Sequence, residues 1–247
     1  MTSDIYPTIT IARNVHPNRW YAIPVIGFIS KLIIVIPVAI EVLCLNIAVF
    51  VMLCIGPFVI LFTKRYWLPE YELYLGLMRL QTKVSFFLYG LTDTYPGFSL
   101  ESKTFALVIP IPQKPTIAFA IPLLGFLARI ILLIPFSMYT SVIKLAGILA
   151  FFVSWIAVLF GGVYPEPTYE IIRDGIRLSL ASTSYLAGLS DNYPSFWISM
   201  NHKGIKITLI VIAAILFLLN QFSSFTHHKS TQYKYQYEYP ASTGNTY

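Results

Sequence analysis

The chain has 247 residues and a net charge of +6, with 56% apolar residues and only 11% charged ones. A soluble domain carries about a quarter of its residues as Asp, Glu, Lys and Arg, so an ordinary soluble domain is excluded and an integral membrane protein is indicated. The basic residues are scattered beside apolar runs rather than gathered with aromatics. That pattern argues against a nucleic-acid partner and points the positive charge at lipid headgroups and membrane topology.

The first twenty residues include Asp4, Pro7, Arg13 and Arg19 without an apolar core. No cleavable signal is expected there, and the span from Trp20 onward is read as its own uncleaved signal. Within residues 1–19, Thr8-Ile9-Thr10-Ile11 alternates with the period of a short strand. Phe105 to Ile109, in the linker 101–117, is its counterpart, and the two are expected to pair outside the membrane.

Residues 20–62 are almost unbroken hydrocarbon, and a straight helix of that length would be about twice as long as a bilayer core is thick. The expectation is a tight hairpin of two spans, about 20–40 and 45–62, turning near Pro37, Glu41 and Asn46. Cys44 and Cys54 lie in this run about 15 Å apart along a helix. That is too far for a disulfide, and they read as small buried hydrophobes.

An amphipathic helix is expected over 70–91, with Glu72, Gly76, Arg79 and Lys83 on one face. Its place is the interface; the alternative is a span whose polar stripe faces a bundle interior. It ends at Gly90-Leu91-Thr92-Asp93-Thr94-Tyr95-Pro96-Gly97-Phe98, which returns as Gly188-Leu189-Ser190-Asp191-Asn192-Tyr193-Pro194-Ser195-Phe196, 98 residues later. The same offset matches Ile121-Pro122 to Ile23-Pro24, Arg129 to Lys31 and Ile134-Pro135 to Ile36-Pro37. A second copy over 118–200 follows, with spans at about 118–136 and 144–162 and an amphipathic helix at 168–188 carrying Glu170, Asp174 and Arg177. A fifth span is expected at 205–222, and the Tyr-rich tail from 226 to 247 reads as disordered.

The predicted fold is therefore an all-α integral membrane protein. It is a tandem pseudo-twofold repeat of a helical hairpin plus an amphipathic interfacial helix, with short strands outside the membrane and about five transmembrane spans. The Lys and Arg bias places the N-terminus and linker in the cytoplasm, and the expected location is a bacterial inner membrane.

Two copies of Ile-Pro, a basic residue, Ile-Pro, a long apolar run, Leu-Phe and then Leu-Thr-Asp-x-Tyr-Pro-x-Phe resemble a bacterial membrane family, domain of unknown function 4389. Leu91 to Leu100 carries the likeness most closely. Lys64-Arg65-Tyr66-Trp67 and Gly162-Val163-Tyr164-Pro165 depart from the Gly-Arg-Tyr-Pro step common in that family. The resemblance implies no activity.

The doubled polar residues are the candidates for function. Asp93 and Asp191, with Tyr95 and Tyr193, close turns after a left-handed glycine and sit at headgroup level. Their alternative role is to flank a groove for a headgroup or cation. Glu72 and Glu170, with Arg79 and Arg177, are expected to pair across the repeats. Lys31 and Arg129 either reach anionic lipid phosphate or neutralise a carboxylate from the amphipathic helix. No catalytic motif is present, no residues have metal-ligand spacing, and no cofactor is expected. The reading is a non-enzymatic accessory or scaffold protein that binds lipids or membrane partners. The alternative is a small transporter or channel lined by Lys31, Arg129, Glu72 and Glu170, and a lipid-acting enzyme using Asp93 and Asp191 is third.

Overall fold

In a computed structural model of the chain, the described residues are 7–11, 14, 16–23, 25–102, 105–109, 116, 121, 123–199 and 201–238, with side chains described up to residue 223. The protein is mostly helical, with one two-stranded sheet. Three helices are long and apolar enough to cross a membrane: α1 (Ile26–Thr63), α3 (Leu124–Gly161) and Lys203–Ser223 of α5 (Lys203–Glu238). Two shorter helices, α2 (Leu68–Leu88) and α4 (Glu166–Leu186), lie inside them.

The expected breaks near residue 41 and between 136 and 144 do not occur: α1 and α3 each run unbroken for 38 residues. The polar residues placed at the first bend are compatible with a helix, since the Asn46 side chain donates to the Val42 carbonyl of its own turn at 2.7 Å. Pro37, Pro57 and Pro135 stand inside the helices, and each removes one backbone donor without ending an apolar helix. The chain reverses instead where Lys64 and Gly162 take left-handed conformations (φ 56° and 67°). Pro69 and Pro167 follow in the first turns of α2 and α4, a position where a missing N–H does no harm.

A helix of 38 residues is about 57 Å long, so α1 cannot stand upright with its whole length inside a hydrocarbon core of about 30 Å. Its contacts show how the length is used. Lys31 reaches Phe87 and Asn46 meets Gln81, so 15 residues of α1 lie opposite six of α2. Val35 and Val38, either side of Pro37, are buried, so the helix stays packed through the proline. Ile33, Ile36, Ile40, Leu43 and Ile47 on its other face are exposed.

Strand β1 (Thr8–Ile11) pairs antiparallel with β2 (Phe105–Val108), Thr8 opposite Val108 and Ile11 opposite Phe105. Ile9, Phe105 and Leu107 turn inward and the residues between them turn out. The pairing of these strands agrees with their alternating pattern. Pro110 and residues 111–115, which follow in the linker, lie outside the described residues.

Helix α5 packs on α3 and α4 and runs to Glu238, so residues 226–238 are helical where low complexity suggested disorder. Residues 239–247 lie outside the described residues. Cys44 and Cys54 are free and exposed rather than buried, because they fall on the outer surface of α1.

The polar stripe of α4 is covered. Glu170, Asp174, Arg177 and Ser184 are buried under the segment leading into α5: Asp174 accepts from the Ser199 amide at 2.7 Å, and the Arg177 guanidinium donates to the Trp197 carbonyl. The expected pairing of Glu170 with an arginine of the other half is replaced by Lys206 of α5, which forms a buried ion pair with Glu170 and donates to the Ser199 carbonyl at 2.8 Å. Asn201 adds a 3.0 Å bond to the same carboxylate. Burial opposes ionisation of Glu170, but the bonds from Lys206 and Asn201 outweigh it and hold the carboxyl below its usual range. Removing one partner leaves the other charge stranded. Lys206→Met is therefore expected to destabilise the protein by about 3–5 kcal/mol, and Lys206→Met with Glu170→Gln by clearly less, measured by thermal unfolding in maltoside micelles.

Candidate functional site

Both inner helices end in the same way. Gly90 and Gly188 take left-handed conformations (φ 75° and 80°). The amides of Gly90 and Leu91 return to Phe87 and Phe86, and those of Gly188 and Leu189 to Tyr185 and Ser184. This double closure is the Schellman motif, which only a residue without Cβ forms without strain. In each case a cation from the outer helix binds the end. The Lys31 ammonium donates to the Phe87 carbonyl at 2.8 Å beneath the rings of Tyr21 and Phe87. The Arg129 guanidinium donates to the Tyr185 carbonyl and, at 3.0 Å, to that of Ser190, over the Tyr185 ring. A cation at a helix C-terminus also meets the negative end of its dipole.

The turn aspartates then hold the chain that enters the outer helices. Asp93 accepts from the Asn18 amide and the Asn14 side chain, both at 2.8 Å. Asp191 accepts from the Thr116 amide at 2.7 Å and forms a 2.6 Å ion pair with Arg129. Tyr95 and Tyr193 are partly exposed beside them, Tyr95 edge-on to Phe98 and Tyr193 edge-on to Phe136. Of the other candidates, Glu72 is exposed and Arg79 half-buried on α2. The structure thus brings Lys31 to Asp93 and Arg129 to Asp191, and leaves Glu72 and Glu170 elsewhere.

The two halves also exchange contacts. The Tyr71 hydroxyl of α2 donates to the Ile109 carbonyl after β2, and the Tyr169 hydroxyl of α4 donates to the Ile11 carbonyl of β1 at 2.7 Å.

A cavity of about 470 Å³ opens where the C-terminal part of α1 and the start of α2 meet the start of α3 and the end of α4. Its wall is mostly apolar, and Arg129, Asp191, Tyr66 and Glu70 supply polar groups. Burial and then the charge of Asp191 push the Tyr66 hydroxyl well above its usual range, with Arg129 opposing. Glu70 is 8% exposed and has no hydrogen bond or ion pair among the described residues. Burial alone raises its pKa to about 7.

The corresponding place in the other half is filled. Ser154 and Thr168 stand where Gly56 and Glu70 stand, and they bond to each other at 2.6 Å. Phe151 and Trp155 replace Leu53 and Pro57, and the space there is divided into parts of about 30 and 270 Å³. A Cβ at Gly56 would overlap the Glu70 carboxylate as it stands, so any larger residue there would displace that side chain. Glu70 and Gly56 are not doubled, so repetition does not mark them; Tyr66 is doubled as Tyr164 but stands in the step that departs from the family pattern. Setting Gly56 against Ser154 and Glu70 against Thr168 is the signal that exposes the first two. Among the described residues no three His, Cys, Asp or Glu side chains gather as a metal site.

The fold is mostly helical, and its three helices long and apolar enough to cross a membrane mark it as a membrane protein. Within it, residues 124–198 match the family model of a domain of unknown function (DUF4389), a stretch containing α3, α4, Arg129 and the Asp191–Tyr193 turn. Comparison with curated proteins and with solved structures gives no match.

The unpaired Glu70 makes stability depend on pH. Its pKa in the folded chain, about 7, lies above the ordinary 4.5, so the folded state holds the proton longer. Stability from this group is full below about pH 4.5 and falls as pH rises towards 7; Glu70→Gln is expected to flatten that fall in thermal unfolding profiles. Gly56→Ala is expected to lower the melting temperature, and adding Glu70→Ala to recover most of the loss. Equal melting of the single and double variants would show that the carboxylate does not occupy this space.

Proposed function

We propose that the chain is a non-enzymatic accessory protein of a bacterial cytoplasmic membrane, built from two copies of one module, which holds a single amphiphile in the cavity between them. The cavity carries the reading: a largely apolar wall suits acyl chains, and a small set of polar groups suits a headgroup. Phe50, Leu123 and Phe126 of its lining are also exposed on the outer helices, which favours entry from the bilayer.

The duplication is supported by equal helix lengths at a constant offset: 38 residues in α1 and α3, and 21 in α2 and α4. The paired Lys31–Phe87 and Arg129–Tyr185 contacts and the reciprocal tyrosine bonds agree with it. Arg19 before α1 favours a cytoplasmic N-terminus, while Lys64-Arg65, at the far end of the same unbroken helix, opposes it.

The competing roles have less support. Lys31 and Arg129 are occupied by helix-end carbonyls, Glu170 by Lys206, and Glu72 is exposed, so these residues do not line a common pathway. Asp93 and Asp191 accept backbone amides, which suits positioning better than acid–base work.

Native mass spectrometry after mild maltoside extraction tests the reading. One retained amphiphile per chain is expected. It should be lost on Leu53→Phe with Pro57→Trp, which installs in the cavity the residues of its filled counterpart. A wild-type chain that emerges bare under every mild condition rules the reading out. Cysteines introduced at residues 97 and 163 report topology: labelling of residue 97 only after the membrane is opened is expected in sealed right-side-out vesicles.

A further inference from the structure

The cavity contains a carboxylate that no described residue satisfies. Arg129 is neutralised by Asp191 and bonded to two carbonyls, so it offers little net charge to a ligand. Tyr71 and Tyr169 spend their hydroxyls on strand carbonyls. Glu70 differs: its carboxylate lines the cavity, is nine-tenths buried and has no hydrogen bond or ion pair among the described residues. A carboxylate in such a place is expensive to ionise unless a cation joins it.

The walls around Glu70 are suited to a particular kind of cation. Tyr66, Trp67, Tyr71 and Tyr74 all line the same cavity. Aromatic side chains grouped about a carboxylate attract weakly hydrated ammonium groups through their π faces, and quaternary ammonium recognition uses this combination. A small hydrated metal ion would instead need several oxygen ligands at short range, and one carboxylate among rings does not supply them. The counterpart place in the other half contains the closed Ser154–Thr168 pair, with its donors and acceptors matched internally. The carboxylate therefore occurs with the larger, continuous cavity, while the counterpart place lacks the carboxylate and has a smaller, divided space.

We propose that this cavity binds an amphiphile with an ammonium headgroup, its cation against the Glu70 carboxylate and the aromatic rings, and its chain along the apolar wall towards Phe50 and Phe126. The proposal rests on the amphiphile reading above and adds the headgroup class. The same headgroup chemistry occurs in membrane phospholipids and in free alkylammonium compounds, and both belong in the test. The groups facing Glu70 that also carry or can carry charge are Arg129, Asp191 and Tyr66, so pH effects are read as the difference between wild type and Glu70→Gln.

Cys54 lines the cavity and provides a direct probe. In a Cys44→Ser background in dodecyl maltoside micelles, the rate of maleimide labelling at Cys54 is measured against added decyltrimethylammonium, decyl sulfate or decyl maltoside. At pH 8 decyltrimethylammonium is expected to protect Cys54 at about tenfold lower mole fraction than either other probe, the scale of a buried cation–π and charge contact. Glu70→Gln should reduce that preference to within about twofold, Glu70→Asp should keep part of it, and wild type at pH 5 should behave like Glu70→Gln. Phosphatidylcholine and phosphatidylglycerol added as short-chain lipids report whether a phospholipid headgroup is accepted, with phosphatidylcholine expected to protect at the lower mole fraction. Decyl sulfate matching decyltrimethylammonium, or a preference that survives in folded Glu70→Gln, overturns the proposal. Protection by all probes alike overturns the headgroup class and leaves amphiphile binding standing. If no probe protects and Leu53→Phe with Pro57→Trp changes nothing, the amphiphile reading fails as well.

Discussion

A buried cation in the second turn of an apolar helix has to be answered by something other than water, and in this protein the answer is the carbonyl end of a neighbouring helix. Lys31 and Arg129 are buried, and the carbonyls they reach belong to residues closing α2 and α4. Those helix ends need donors, so each side supplies what the other lacks. The glycine that follows turns the chain, the next aspartate binds the backbone ahead of the outer helix, and the start of the outer helix is thereby set against the end of the inner one. Replacing either cation by a neutral residue would remove the second donor from a helix-end carbonyl that already accepts the following glycine's amide.

Much of this joint was legible in the sequence, because repetition marked it. Lys31, Arg129, Asp93 and Asp191 are recognisable as doubled polar residues, and the glycines before the aspartates read as helix stops. The alternation of Thr8 to Ile11 and of Phe105 to Val108 was enough to suggest strands that pair. The course of the outer helices was not legible. Length alone implied a reversal inside residues 20–62, but Asn46 satisfies its amide within its own helix, and the helix continues unbroken past Pro37 to Thr63. Hydropathy measures how much chain is apolar and does not say whether it turns back or runs on. Glu170 found Lys206 rather than an arginine because α5, which has no counterpart in the first half, covers α4 and brings its own cation.

The differences between the halves proved more informative about a ligand than their likeness. Residues that repeat describe the joint; Glu70, Gly56, Leu53 and Pro57 do not repeat, and they shape the open cavity. Small side chains at Leu53 and Pro57 leave the volume that Phe151 and Trp155 fill on the other side, and Gly56 leaves room for a carboxylate where serine and threonine would close on each other. The carboxyl group is the clearest of these differences between the two halves.

The antiparallel pairing of β1 with β2 has a consequence for synthesis. Strand β1 leaves the ribosome roughly a hundred residues before its partner, which at about 5–20 residues per second is a wait on the order of 5–20 s. The Tyr169 hydroxyl that binds Ile11 arrives later still. During that interval the nascent chain has inserted α1 with an unpaired strand edge waiting at the membrane surface, an edge that invites pairing with the wrong chain. Thr8 and Thr10, which face outward from the strand, keep its outer face polar while it waits for β2.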